Sequence, residues 1–172
     1  MNLDTPSIWV GTWAAYNNGI LHGAWIDCTL GVDHINDEIN KILETCPEQG
    51  EEWSIFDASA LPNFINNEYY HDTDNISAWA EALEEHGEVI ASLAKELNIE
   101  DIEDVLEYHE NNYHGCANSF EEFAQNFFDD VYGHEVPKHI QYYIDYEAFA
   151  RDLSHDYFEI WINGECHVWS NN

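Results

Sequence analysis

Apolar residues recur along the chain with two different periods, and the period predicts which segments are strands and which are helices. Ser7 to Ala15 is apolar and rich in β-formers, Tyr16-Asn17-Asn18-Gly19 has turn chemistry, and Ile20 to Cys28 resumes the strand pattern. Asn-Gly between two such runs is a strong hairpin signal, because both residues tolerate positive φ. Asp33 is placed to cap a helix with apolar positions Ile35, Ile39, Ile42, Leu43 and Cys46, which Pro47 ends before a short strand at Trp53 to Phe56. Asp74 or Asn75 can cap a helix carrying Ile76, Trp79, Ala80 and Leu83, with Gly87 as its stop. Ile90, Leu93, Ala94 and Leu97 mark a second central helix, and Ile99, Ile102, Val105 and Leu106 a third.

Ser119 with Glu122 has the spacing of a capping box, ahead of a stripe of Phe120, Phe123, Ala124, Phe127, Phe128 and Val131. Gly133 closes that helix and Pro137 suits the first turn of the next. The chain ends in a second hairpin, with Tyr157 to Ile162 and Glu165 to Trp169 joined at Asn163-Gly164. Phe158, Ile160 and Ile162 fall on one strand face, and Tyr157, Glu159 and Trp161 on the other. These elements predict an α+β fold of three small units in tandem. Residues 1–60 form an N-terminal unit of β-hairpin plus helix, 61–110 a central acidic helical unit, and 111–172 a C-terminal unit of helices plus hairpin. Three small cores in a row favour an elongated molecule over a globule with a radius of gyration of roughly 16 Å.

Composition changes the picture more than any motif does. The 172 residues carry 35 Asp and Glu against 4 Lys and Arg, a net charge of −31 with neutral His. Charge of that size is a mark of disordered chains, but 45% hydrophobic and 15% aromatic residues supply ample material for packed cores. With no basic footprint to neutralise phosphates, nucleic acid is excluded as a partner, and an anionic membrane surface with it. The N-terminus from Met1 to Trp9 lacks a basic and apolar leader, no apolar run is long enough to span a bilayer, and the expected location is the cytoplasm. Cys28, Cys46, Cys116 and Cys166 are scattered without a C-x-x-C pair, so reduced thiols are expected, with neither metal nor other cofactor.

Enzyme signatures fail on spacing. His109-Glu110-Asn111-Asn112-Tyr113-His114 puts its second His one residue too late for a zinc-protease helix. Asp72-Thr73-Asp74-Asn75-Ile76-Ser77 departs from a calcium loop at its fifth and sixth positions. Nucleophile elbows and phosphate-binding glycine loops are absent, and no catalytic role is assigned.

The acidic residues are spread evenly, ten in 1–60, fourteen in 61–110 and eleven in 111–172. Glu100, Glu103, Asp104, Glu107 and Glu110 form a row at helical spacing, opposite the apolar positions. Glu81, Glu84, Glu85 and Glu88 repeat the arrangement, as do Glu121, Glu122, Asp129 and Asp130, with Asp72 and Asp74 ahead of them. Like charges at i, i+4 destabilise a helix by a few tenths of a kcal/mol per pair, and interspersed Lys would give the same solubility without that penalty. Duplex DNA carries one charge per ~1.7 Å, so 31 charges equal roughly 50 Å of duplex. Carboxylates fixed on helices can stand in for phosphates, and such a surface attracts proteins whose clefts hold DNA. Two other readings compete: an acidic module that binds a basic nucleoid or repair protein, and a surface adapted to high salt.

Two stretches carry a family resemblance. Trp13-Ala14-Ala15-Tyr16-Asn17-Asn18-Gly19, followed by His22-Gly23-Ala24-Trp25, resembles the opening of the ArdA antirestriction proteins. Glu135-Val136-Pro137, Tyr142-Tyr143-Ile144-Asp145-Tyr146-Glu147-Ala148-Phe149 and Arg151-Asp152-Leu153 resemble that family's most recognisable block. The resemblance implies an elongated, three-domain DNA mimic from a mobile element, working as a homodimer. It implies a non-enzymatic inhibitor that occupies the DNA-binding groove of type I restriction–modification enzymes, chiefly the methyltransferase core with its specificity subunit. The C-terminal block lies at or near the family's dimer interface, which assigns Tyr142, Tyr146, Phe149 and Leu153 to dimerisation. The alternative is that these four pack the core of their own unit.

Overall fold

A computed structural model describes residues 5–48 and 52–171. The first few residues of the Met1–Trp9 segment lie outside the described residues. The fold is α+β, with eight α-helices and two three-stranded antiparallel sheets among the described residues. Internal contacts group the chain into two compact units, Met1–Glu103 and Asp104–Asn172. This grouping differs from the three-way division at 60 and 110, because the first central helix packs onto the N-terminal elements.

In the first unit, β1 (Ser7–Thr12) is the middle strand, flanked by β2 (Gly23–Asp27) and β3 (Trp53–Ser59). Ile8 pairs with Ile26, and Val10 with Ile55, so one sheet face is aliphatic and buried. Helix α2 (Val32–Glu44) covers it with Ile35, Ile39 and Ile42. Gly31 occupies the N-cap of α2 and Asp33 sits in its first turn instead of capping it. The opposite face collects aromatic rings, with Trp9 and Trp13 within 5.6 Å and 4.9 Å of Phe56.

The first hairpin forms, but not through a two-residue turn. The strand stops at Thr12, and Trp13–Asn17 winds into a short helix, α1. Gly19, at φ +73°, ends it in the left-handed conformation, with its N–H donating to Tyr16 O at 3.0 Å. The Ile20 N–H reaches Ala15 O at 2.9 Å, completing a Schellman-type stop. Asn18-Gly19 is therefore a helix terminus here. At the second hairpin the same dipeptide type does make the turn, as the sequence predicts.

Helix α3 (Thr73–His86) is capped by Asp72, whose carboxylate accepts the Asn75 N–H at 3.0 Å, rather than by Asp74 or Asn75. It buries Ile76, Trp79 and Ala80, packs against α2, and stops at Gly87, φ +60°. Helix α4 (Glu88–Leu97) follows and buries Ile90, Leu93 and Ala94. Asn75 performs a different task from capping its own helix. Its amide donates to Glu100 O at 3.0 Å and to Tyr70 Oη at 2.6 Å, while its oxygen accepts the Ile102 N–H at 3.2 Å. That bracket fixes the start of α5 (Ile102–Asn112), the helix within which the unit boundary falls.

In the second unit, β6 (Glu165–Ser170) runs between β4 (Tyr113–Ala117) and β5 (Tyr157–Ile162). Asn163 and Gly164, at φ +52° and +89°, turn β5 into β6 with Ile162 opposite Glu165. Helix α6 (Phe120–Val131) packs on one sheet face, where Phe123 joins Cys166 and Val168 in the core. Ser119 caps α6 through the Glu122 N–H at 3.1 Å, and Glu122 reaches back to the Asn118 N–H at 2.8 Å. The capping box is thus closed one residue further out than the usual pattern. Helix α7 (Lys138–Gln141) is one turn long, and α8 (Tyr146–Leu153), capped by Asp145, packs along α6. The other sheet face carries Trp169, fully buried, stacked at 5.8 Å on Phe158 and 5.0 Å from Tyr113.

Candidate functional site

The structure places the acidic residues on the outer faces of four helices. On α3, Glu81, Glu84 and Glu85 are exposed while Ile76, Trp79 and Ala80 face inward, as spacings of three and four residues require. Asp74 is exposed in the first turn of the same helix, and Glu88 opens α4. On α5, Glu103, Asp104, Glu107 and Glu110 are exposed opposite buried Ile102 and Val105, and Glu100 is exposed just before them. On α6, Glu121, Asp129 and Asp130 are exposed.

Two of the predicted phosphate mimics have structural duties. Asp72 holds the N-terminus of α3, and Glu122, half-buried, is engaged by both the backbone and the side chain of Asn118.

Placement along the helices is not what stability alone would choose. A helix N-terminus favours negative charge and a C-terminus disfavours it, by about 0.3–1 kcal/mol per charge. Asp74, Glu88, Glu121 and Glu122 occupy first turns and gain from this. Asp129 and Asp130 occupy the last turn of α6, which holds no basic residue. Lys41 is committed to Glu38 at 2.6 Å within α2, and Lys95, Lys138 and Arg151 are exposed.

The four residues assigned to dimerisation are separated by the fold. Phe149 packs edge-on against Phe128 at 5.5 Å, and Tyr146 lies 5.7 Å from the same ring with its hydroxyl donating to Asp129 at 3.4 Å. Leu153 packs against the Phe123–Cys166–Val168 core. Tyr142 stands apart at 89% exposure, beside Tyr143 at 84% and Ile140 at 44%. Tyr143 belongs with Tyr142 on exposure, and only the end of the short α7 turn reveals that, since both tyrosines lie outside any periodic segment.

A cavity of about 670 Å³ in the first unit is lined by aliphatic residues such as Leu61, Pro62, Leu83 and Ala91, together with Glu84 and Glu88. Burial pushes the Cys28 thiol up to about 12, with Asp27 adding to the effect, so it is held as an unreactive thiol. Metal-ligand chemistry gathers instead at Cys116, Glu165 and His167 on the second sheet. Among the described residues no helix is long and apolar enough to cross a membrane.

A family model described as antirestriction protein (ArdA) matches residues 8–165, nearly the whole chain. The chain has no significant match among curated proteins.

Proposed function

The chain belongs to the ArdA antirestriction family, and from that premise we propose that it acts as a DNA mimic. Its carboxylates occupy the DNA-binding groove of a type I restriction–modification enzyme, at the methyltransferase core with its specificity subunit, and exclude DNA without any catalytic step. The observation that carries this reading is the set of exposed acidic faces on α3, α5 and α6, which continues into the last turn of α6 where it lowers stability. A face needed only for solubility would place Lys there. Association with a basic groove is fast through electrostatic steering, and release of the groove's counterions adds a salt-dependent driving force.

A homodimer, presenting twice the charge, fits the same reading. The exposed Ile140–Tyr142–Tyr143 patch is the surface we assign to it, while Tyr146 and Phe149 pack on Phe128 and Leu153 on the core of the unit. The action takes place in the cytoplasm, where restriction enzymes meet incoming DNA from mobile elements.

A graded charge series tests the mechanism. Glu103→Gln alone leaves inhibition of a type I enzyme within about twofold, since one carboxylate in many is redundant. Lys at Glu103, Asp104, Glu107 and Glu110 together weakens inhibition by at least tenfold while the helix content is kept. Loss of inhibition in Glu103→Gln would point to a discrete site, and full inhibition by the fourfold variant would remove α5 from the mimic surface.

A further inference from the structure

Strand β4 is an edge of the second sheet, and its pairing with the central strand β6 brings together side chains that lie apart from the acidic helix faces. In the β4–β6 register Cys116 lies directly opposite His167, and Glu165 is two residues before His167 on the same strand. Directly opposed residues, and residues two apart on one strand, share a sheet face. The ladder itself therefore puts a thiol, an imidazole and a carboxylate on one side. One ligand atom from each lies within 4.8 Å of the other two, and side-chain rotation of the two exposed residues is what would draw them to the roughly 3.3–3.8 Å edges of a tetrahedral shell.

The imidazole is already held as a ligating imidazole must be. His167 is buried, and its Nδ1 is 2.8 Å from the Tyr113 hydroxyl, while its Nε2 faces Glu165 with 3.9 Å to Oε2. Engaging Nδ1 fixes the ring's orientation, and in the tautomer whose Nδ1–H donates to the Tyr113 oxygen the Nε2 lone pair is open to an ion. Tyr113 stacks along the His167 ring and packs on the buried Trp169, so this support is itself anchored in the core. Cys116 and Glu165 are exposed, which leaves an entry path and a fourth position for water.

We propose that Cys116, Glu165 and His167 form a binding site for a zinc-class divalent ion that clips the edge strand β4 to the central strand β6. Sulfur, nitrogen and oxygen donors in one set suit a borderline ion such as Zn²⁺, whereas Mg²⁺ and Ca²⁺ prefer all-oxygen shells. On binding, the thiol proton is released to solvent and the thiolate takes a metal bond. The sequence hides the site because the cysteine and the other two ligands are about fifty positions apart, with no paired-cysteine spacing. Only the pairing of β4 with β6 brings them together.

With 35 acidic residues, weak binding of divalent ions to surface carboxylates is expected, so the test must separate it from the site. The full-length reduced protein is stripped with chelator and titrated with Zn²⁺ alone in competition with a chromophoric chelator, in the presence of millimolar Mg²⁺ to saturate surface carboxylates. Co²⁺ is then used as a spectroscopic substitute. The expected result is one Zn²⁺ per chain, a thiolate-to-cobalt charge-transfer band, and at least tenfold weaker binding in both Cys116→Ser and Glu165→Gln. Both replaced residues are exposed, and circular dichroism with thermal melts checks that each variant keeps its fold. Equal Zn²⁺ affinity in either variant, or no charge-transfer band with Co²⁺, would overturn the proposal.

Discussion

Asp130 offers a direct reading of whether charge has been placed at the expense of stability. It is exposed in the last turn of α6, where the helix presents its negative pole and no basic residue offsets it. Removing a charge there is worth about 0.3–1 kcal/mol, and inverting it gains a similar amount again. Residues three and four positions earlier are Phe127 and Asn126, so a lysine at 130 meets no like charge within the helix. Asp130→Lys should therefore stabilise the protein by about 1 kcal/mol at low salt, and Asp130→Asn by roughly half that. For a chain of this size, 1 kcal/mol corresponds to a Tm rise of about 2–4 °C. Urea unfolding at low and at high ionic strength is the assay, because the gain must shrink as salt screens the dipole. Inhibition by Asp130→Asn should stay within about twofold, since one exposed carboxylate among many is redundant. A loss of stability in Asp130→Lys, or a gain indifferent to salt, would refute the reasoning.

Other consequences concern the scaffold. Asn75→Ala removes the acceptor for the buried Ile102 N–H and two donated bonds, and should lower stability by about 2 kcal/mol, read from the urea midpoint. A change within 0.5 kcal/mol would show that the bracket does not fix the start of α5. The Cys28 thiol, raised from 9.0 to about 12 by burial, stays protonated in the folded state while the unfolded thiol ionises above about pH 9. Its contribution to stability is thus complete below pH 9 and is lost as pH rises from 9 towards 12, so Cys28→Ala should decline less steeply over that window. Identical pH profiles would contradict this.

What the sequence made legible follows from how local each signal is. The helix stripes of α2, α3, α4 and α6 and the Asn163-Gly164 hairpin depend on residues close in the chain, and they stand where periodicity puts them. Asn18-Gly19 has the same chemistry as Asn163-Gly164 but a different outcome. Trp13 prefers to turn into α1, where its indole N–H donates to Ser54 Oγ at 2.7 Å, a partner 41 residues away. Strand β4 is short, interrupted by a bulge at His114, and contains Gly115 at φ +101°, so no alternation marks it. Its identity comes from pairing with β6. Asp72 caps α3 in preference to Asp74 because the cap is fixed by where the chain enters, and a run of Asp and Asn offers several candidates to a pattern. Which helix faces expose acids was legible, since a helix period and a charge count suffice, but the structural duties of Asp72 and Glu122 were not. The distribution of Tyr142, Tyr146, Phe149 and Leu153 was not, because it depends on how α8 lies along α6.

The most direct test of DNA mimicry is displacement. A labelled DNA duplex is bound to a purified type I methyltransferase core with its specificity subunit, and the unlabelled full-length protein is titrated in at several salt concentrations, with fluorescence anisotropy as the readout. The account predicts complete displacement at low salt without any ternary complex, and an affinity for the enzyme that falls as salt rises. DNA that stays bound under excess protein at low salt would contradict it.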